Sequence, residues 1–89
     1  MYLNLFTVER IYKLMNLLLK KYSLVSRLEF DNDVLRLIVE YNYCDREKID
    51  DIFKDVIYFV FKRNITSYYH EWTGEEEKDV CNLIVNFKF

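Results

Sequence analysis

The sequence has no alanine, no proline and no glutamine, and one glycine, Gly74. With Gly74 alone in an acidic turn, a glycine-rich phosphate-binding loop is excluded, because such loops need several residues whose backbone can close on an anion. Two cysteines, Cys44 and Cys81, are too few for a disulfide scaffold. They are also too few for a structural zinc site unless His70 and a carboxylate join them, so they read as ordinary thiols, and no metal or cofactor is expected. No apolar run approaches the ~18 residues that a membrane-spanning helix requires. The first residues, MYLNLFTVER, put no basic residue before the apolar ones and interrupt them with Asn4 and Glu9, so they do not read as a signal peptide. A cytoplasmic location is expected. The net charge of −2 gives no strong field to attract nucleic acid.

What is abundant follows from the same bias. Tyr, Phe, Ile, Asn, Asp and Lys abound, and all have AT-rich codons. Small AT-rich proteins are common in phages, archaeal viruses and mobile elements, which hints at origin and fixes no activity. Of the 89 residues 52% are hydrophobic, enough for one core and too many for intrinsic disorder, so residues 1–89 are expected to form a single domain.

The chain contains a duplication. DVLRLIVEYNY, from Asp33 to Tyr43, aligns with DVCNLIVNFKF, from Asp79 to Phe89, at an offset of 46. Upstream the offset is 42: Lys20-Lys21 falls on Lys62-Arg63, and Glu29-Phe30 on Glu71-Trp72. One four-residue insertion in the turn before the last strand reconciles the two offsets. The repeats run over about 7–43 and 45–89, and each reads helix, strand, turn, strand.

In the first helix Val8, Ile11, Met15, Leu18 and Tyr22 form the apolar stripe, with Thr7 as N-cap. In the second, Asp45 caps, and Ile49, Ile52, Phe53, Val56 and Val60 face inward. Leu35, Leu37, Val39, Tyr41 and Tyr43 alternate with polar residues along the second strand, as do Cys81, Leu83, Val85, Phe87 and Phe89 along the fourth. The repeat places Tyr68, His70 and Trp72 on the inward side of the third strand.

These constraints predict an α+β two-layer sandwich: a tandem αββ-αββ repeat, a four-stranded antiparallel sheet of order 1-2-4-3, and both helices on one face. That is the order of a circularly permuted ferredoxin-like sandwich. A sheet paired 2-1-3-4 and a swapped dimer also satisfy the connections.

Converging catalytic groups are scarce. His70 with Cys44 or Cys81 has the composition of a Cys–His nucleophile pair, but nothing in the sequence brings them together. Asp50, Asp51 and Asp55 lack the alternating spacing of a calcium loop. A non-enzymatic protein-binding module is expected. Its sharpest form is a virus- or mobile-element-encoded inhibitor, of anti-defence type, that occludes a host protein.

The candidate partner-binding face is acidic: Asp45, Glu47, Asp50, Asp51 and Asp55 on the second helix, and Glu75, Glu76 and Glu77 in the last turn. The expected partner is a host protein, such as one that itself binds nucleic acid. Alternatives are a structural homodimer or assembly subunit contacting through Ile38, Ile84, Ile57, Tyr58 and Phe61, and a weak nucleic-acid binder using the lysines of helix one. The open sheet face carries one aromatic among mixed charges, which disfavours base stacking.

Overall fold

The computed structural model describes residues 5–32, 34–72 and 79–88, with side chains from Val8 onward. Glu75, Glu76 and Glu77, and Tyr2 to Asn4, lie outside the described residues. Helix α1 runs Leu5–Tyr22 and buries Ile11, Leu14 and Leu18, while Leu17 and Leu19 face out. It begins two residues before Thr7, which is therefore inside the helix and not its cap. At its C-terminus Ser23 takes a left-handed φ of 55°, and the N–H groups of Ser23 and Leu24 return to the carbonyls of Leu19 and Leu18, each at 3.0 Å. A Cβ in that region is strained, and glycine relieves it. Ser23→Gly should therefore raise the urea midpoint by an amount worth about 0.5–1 kcal/mol, with the slope unchanged.

Strands β1 (Ser26–Asp31), β2 (Val34–Asn42), β3 (Ile65–Trp72) and β4 (Val80–Phe87) form one antiparallel sheet of order β1-β2-β4-β3. This is the expected order, and it removes the 2-1-3-4 alternative. Asp31 pairs with Val34, leaving a two-residue connection in which Asn32 has φ 54°, the sign a primed hairpin turn needs and asparagine tolerates.

Along the central strands every second residue is buried: Leu35, Leu37, Val39 and Tyr41 on β2, and Cys81, Leu83, Val85 and Phe87 on β4. They share one hydrophobic cluster with the buried residues of α1 and of the second helical segment. On the other side of the sheet, Ile38 lies directly opposite Ile84, and each is only 4% exposed.

Tyr43 does not continue the inward set of β2. The strand ends at Asn42, and Tyr43–Asp45 form a 3₁₀ turn in which Tyr43 is exposed. Asn42 caps that turn by accepting the Cys44 N–H at 3.1 Å; Asp45, the expected cap, makes no side-chain capping bond.

The second helical segment is not a uniform α-helix. It consists of α2 (Arg46–Ile52), a π-helical stretch (Phe53–Tyr58) and a final turn, α3 (Phe59–Phe61). The large apolar residues Ile49, Phe53, Ile57 and Phe61 recur every four positions. In an ideal α-helix that row drifts by about 40° per step. The wider π turn takes up the drift and keeps all of them inward.

The inner face is consequently Ile49, Ile52, Phe53, Ile57 and Phe61. Val56 is half-buried and Val60 exposed, where α-helical spacing had placed both inside. Phe61 packs edge-on against Phe87 with ring centres 5.4 Å apart, and the Arg10 guanidinium lies over its ring, 5.0 Å from the centre.

Candidate functional site

A polar side chain at an inward position of a strand must find a partner, since an unpaired buried polar group is costly. His70 sits at such a position on β3, opposite Leu83. Its partners come from two other elements. Tyr41, near the end of β2, places its hydroxyl 2.5 Å from His70 Nδ1, and Asp50, on α2, places Oδ1 3.0 Å from His70 Nε2. The tyrosine ring also meets the imidazole edge-on, with centres 5.6 Å apart. Sheet and helix are thus joined by a Tyr41–His70–Asp50 chain.

The Tyr41 phenol is pushed up to about 12, first by burial and then by the neighbouring Cys81 thiol and, more weakly, Asp50, with Arg46 acting in the opposite sense. It is therefore neutral at physiological pH, and its hydroxyl pairs with Nδ1. A carboxylate oxygen only accepts, so the bond at Nε2 runs from the imidazole N–H to Asp50.

A hydroxyl on one imidazole nitrogen and a carboxylate on the other is the order in which a nucleophile, a base and its orienting acid stand, and here the hydroxyl belongs to a buried phenol. A phenol made less acidic by burial is a poorer nucleophile, not an activated one. The chain is a clamp between α2 and the sheet.

Tyr41 and His70 themselves line a cleft of about 400 Å³, together with Tyr43, Arg46, Trp72 and Cys81. Cys81 is buried, Cys44 is exposed, and both are free thiols. Among the described residues no cluster has the composition of a metal site, and no helix is long and apolar enough to cross a membrane.

No protein-family model, curated protein or solved structure matches this chain. Its function is therefore argued from the geometry.

The expected site residues fall into distinct groups. Asp45, Glu47, Asp51 and Asp55 are exposed, and among the described residues none of them forms a salt bridge. Asp50 keeps 45% of its side chain in solvent while its Oδ1 pairs with His70. Of the residues assigned to a dimer contact, Ile57 and Phe61 are in the core, Ile38 and Ile84 are almost fully covered within the chain, and only Tyr58 presents surface.

The sequence reading missed the Tyr41–His70–Asp50 chain, although two of its signals were visible. The repeat places both Tyr41 and His70 on the inward side of the sheet. The helix supplies an acid next to the inward-facing Ile49.

The reading also missed the outer ridge of the second helical segment. Because Ile49, Phe53, Ile57 and Phe61 follow the inner line at four-residue spacing, Asp51, Asp55 and Phe59 follow the opposite line. Phe59 is 77% exposed, and Tyr58 and Val60 flank it with about half their surface in solvent. A phenylalanine left in water at the end of an acidic row has the anatomy of an interface, with an apolar anchor and a charged rim.

Proposed function

We propose that the chain is a non-enzymatic protein-binding module, and that it occludes a partner surface with the outer ridge of its second helical segment. The observation that carries this reading is the exposed apolar tip Tyr58-Phe59-Val60 in line with Asp51 and Asp55. Phe59 is the anchor that enters a pocket, and the carboxylates steer toward a basic rim. A host protein that binds nucleic acid carries such a rim around its working surface. A virus- or mobile-element-encoded inhibitor acting in the host cytoplasm fits the composition and the ridge together.

The duplicated architecture belongs to the same proposal: two αββ units about a pseudo-two-fold axis, with both helices on one face in a permuted ferredoxin-like arrangement. The strand registers support it. Ile38 faces its repeat-equivalent Ile84, and the pair Ser26–Val39 has the repeat-equivalent pair Tyr68–Val85.

The test is affinity capture from host cells with the wild-type chain and two folded variants, followed by binding measurements on the captured protein. Phe59→Ala should weaken binding by about 2 kcal/mol, near thirtyfold. Asp51→Lys with Asp55→Lys should slow association and abolish its salt dependence. Capture that neither variant changes would overturn the proposal.

A further inference from the structure

The sheet has two edges, and they differ. Strand β3 carries a bulge between Ile65 and Ser67, a device that discourages pairing with another chain. Strand β1 pairs with β2 through an unbroken register from Ser26 to Asp31 and has no proline or lysine along it. We infer that β1 is the interface of a symmetric homodimer, in which two copies pair antiparallel about Leu28 and extend the sheet across both chains.

Three independent features select this partner and this register. The first is the direction of the backbone groups. The Glu40 N–H donates to the Val25 carbonyl at 3.0 Å, so Val25 and the odd-numbered residues after it turn their N–H and C=O groups toward β2. Ser26, Leu28 and Phe30 turn theirs to the free edge. An antiparallel partner centred on Leu28 sets Leu28 against Leu28 and Ser26 against Phe30, so all these edge groups bond across the axis.

The second feature is charge. Arg27 and Glu29 share the other side of the strand and are both exposed, their side chains 3.5 Å apart. Centred on Leu28, each Arg27 faces the second copy's Glu29, giving two cross-strand pairs of opposite sign. A shift of the centre to residue 27 or 29 would instead oppose arginine to arginine or glutamate to glutamate.

The third feature is shape. Phe30 is 63% exposed although it lies on the side of the strand where Leu28 packs against the core. Next to Ser26 is a groove of about 260 Å³ between α1 and β1, lined by Tyr12, Met15, Asn16, Leu19, Val25 and Ser26. Pairing about Leu28 brings the second copy's Phe30 opposite Ser26, at this groove. The two-fold axis repeats the contact, so each copy gives one phenylalanine and receives one.

The experiment is sedimentation equilibrium of the full chain over a wide concentration range, with circular dichroism to verify folding. Wild type should be a dimer. Arg27→Glu sets glutamate against glutamate twice and should weaken dimerisation by about tenfold or more. The double exchange Arg27→Glu with Glu29→Arg restores opposite charges in this register alone and should recover the dimer. Phe30→Ser should weaken it without altering the charges. A wild type that stays monomeric overturns the proposal, as does a dimer indifferent to Arg27→Glu, or a folded double exchange that fails to recover. None of these results depends on the ridge at Phe59, which lies on the second helical segment.

Discussion

Phe61→Ala should lower the unfolding free energy by about 3–5 kcal/mol, while Val60→Ala changes it by no more than about 0.5 kcal/mol. The two residues are adjacent, and α-helical spacing assigns them the opposite roles. Phe61 is 1% exposed, packed on Phe87 and covered by Arg10, so truncation removes a large buried side chain and leaves a cavity that its neighbours cannot fill. Val60 is 47% exposed, and its truncation removes little buried surface. An 89-residue domain has a total stability on the order of 4–13 kcal/mol, so the first substitution is close to the limit of folding. Urea denaturation of both variants measures the difference. Equal losses, or a greater loss at Val60, would mean that the π-helical stretch Phe53–Tyr58 does not set the phase of this segment.

In alkaline solution the wild-type chain should lose stability between about pH 10 and pH 12, and Tyr41→Phe should remove much of that loss. The buried phenol is raised from its ordinary value of 10.0 to about 12 in the folded chain. Between those values the folded state keeps a proton that the unfolded state has released. The stabilisation is therefore complete below pH 10 and fades as pH rises through 12, by on the order of 2–3 kcal/mol. The measured quantity is the difference between wild type and Tyr41→Phe, which cancels whatever the two chains share. At neutral pH the same substitution should cost about 1–3 kcal/mol, because His70 Nδ1 loses its partner in a partly buried place. A variant with the wild-type alkaline slope and undiminished neutral stability would remove the clamp from the account of this fold.

The clamp also explains why the acidic helix is not one uniform surface. Asp50 differs from Asp51 only by a turn of about 100° around the helix axis. That rotation takes it from the outer ridge to the imidazole of His70, 3.0 Å away. Charge reversal at Asp51 and Asp55 thus probes recognition, whereas reversal at Asp50 also breaks the link between α2 and β3.

By itself the sequence determined the class and most of the core, and it favoured the strand order that the sheet adopts over 2-1-3-4. Period-two alternation identified the inward residues of β2 and β4 as far as Tyr41, because side chains on a strand have only two directions to choose from. The internal repeat resolved the ambiguous third strand, placing His70 on the side where it meets Asp50. The same repeat placed Ile38 beside Ile84, and the register bears this out. These features were legible because local periodicity and short connections leave few alternatives.

Tertiary structure decided where periodicity gives way. The end of β2 and the start of α1 depend on which backbone groups find partners, so Asn42 caps the 3₁₀ turn while Asp45 makes no capping bond to α2, and Thr7 lies within its helix. The π turn exists because four large side chains must fit one core, a requirement that no single segment expresses. It turns Phe61 inward and leaves Phe59 and Val60 in water. Likewise the Tyr41–His70–Asp50 chain joins residues 29 and 20 positions apart, and only the packing of helix on sheet brings them within hydrogen-bonding distance.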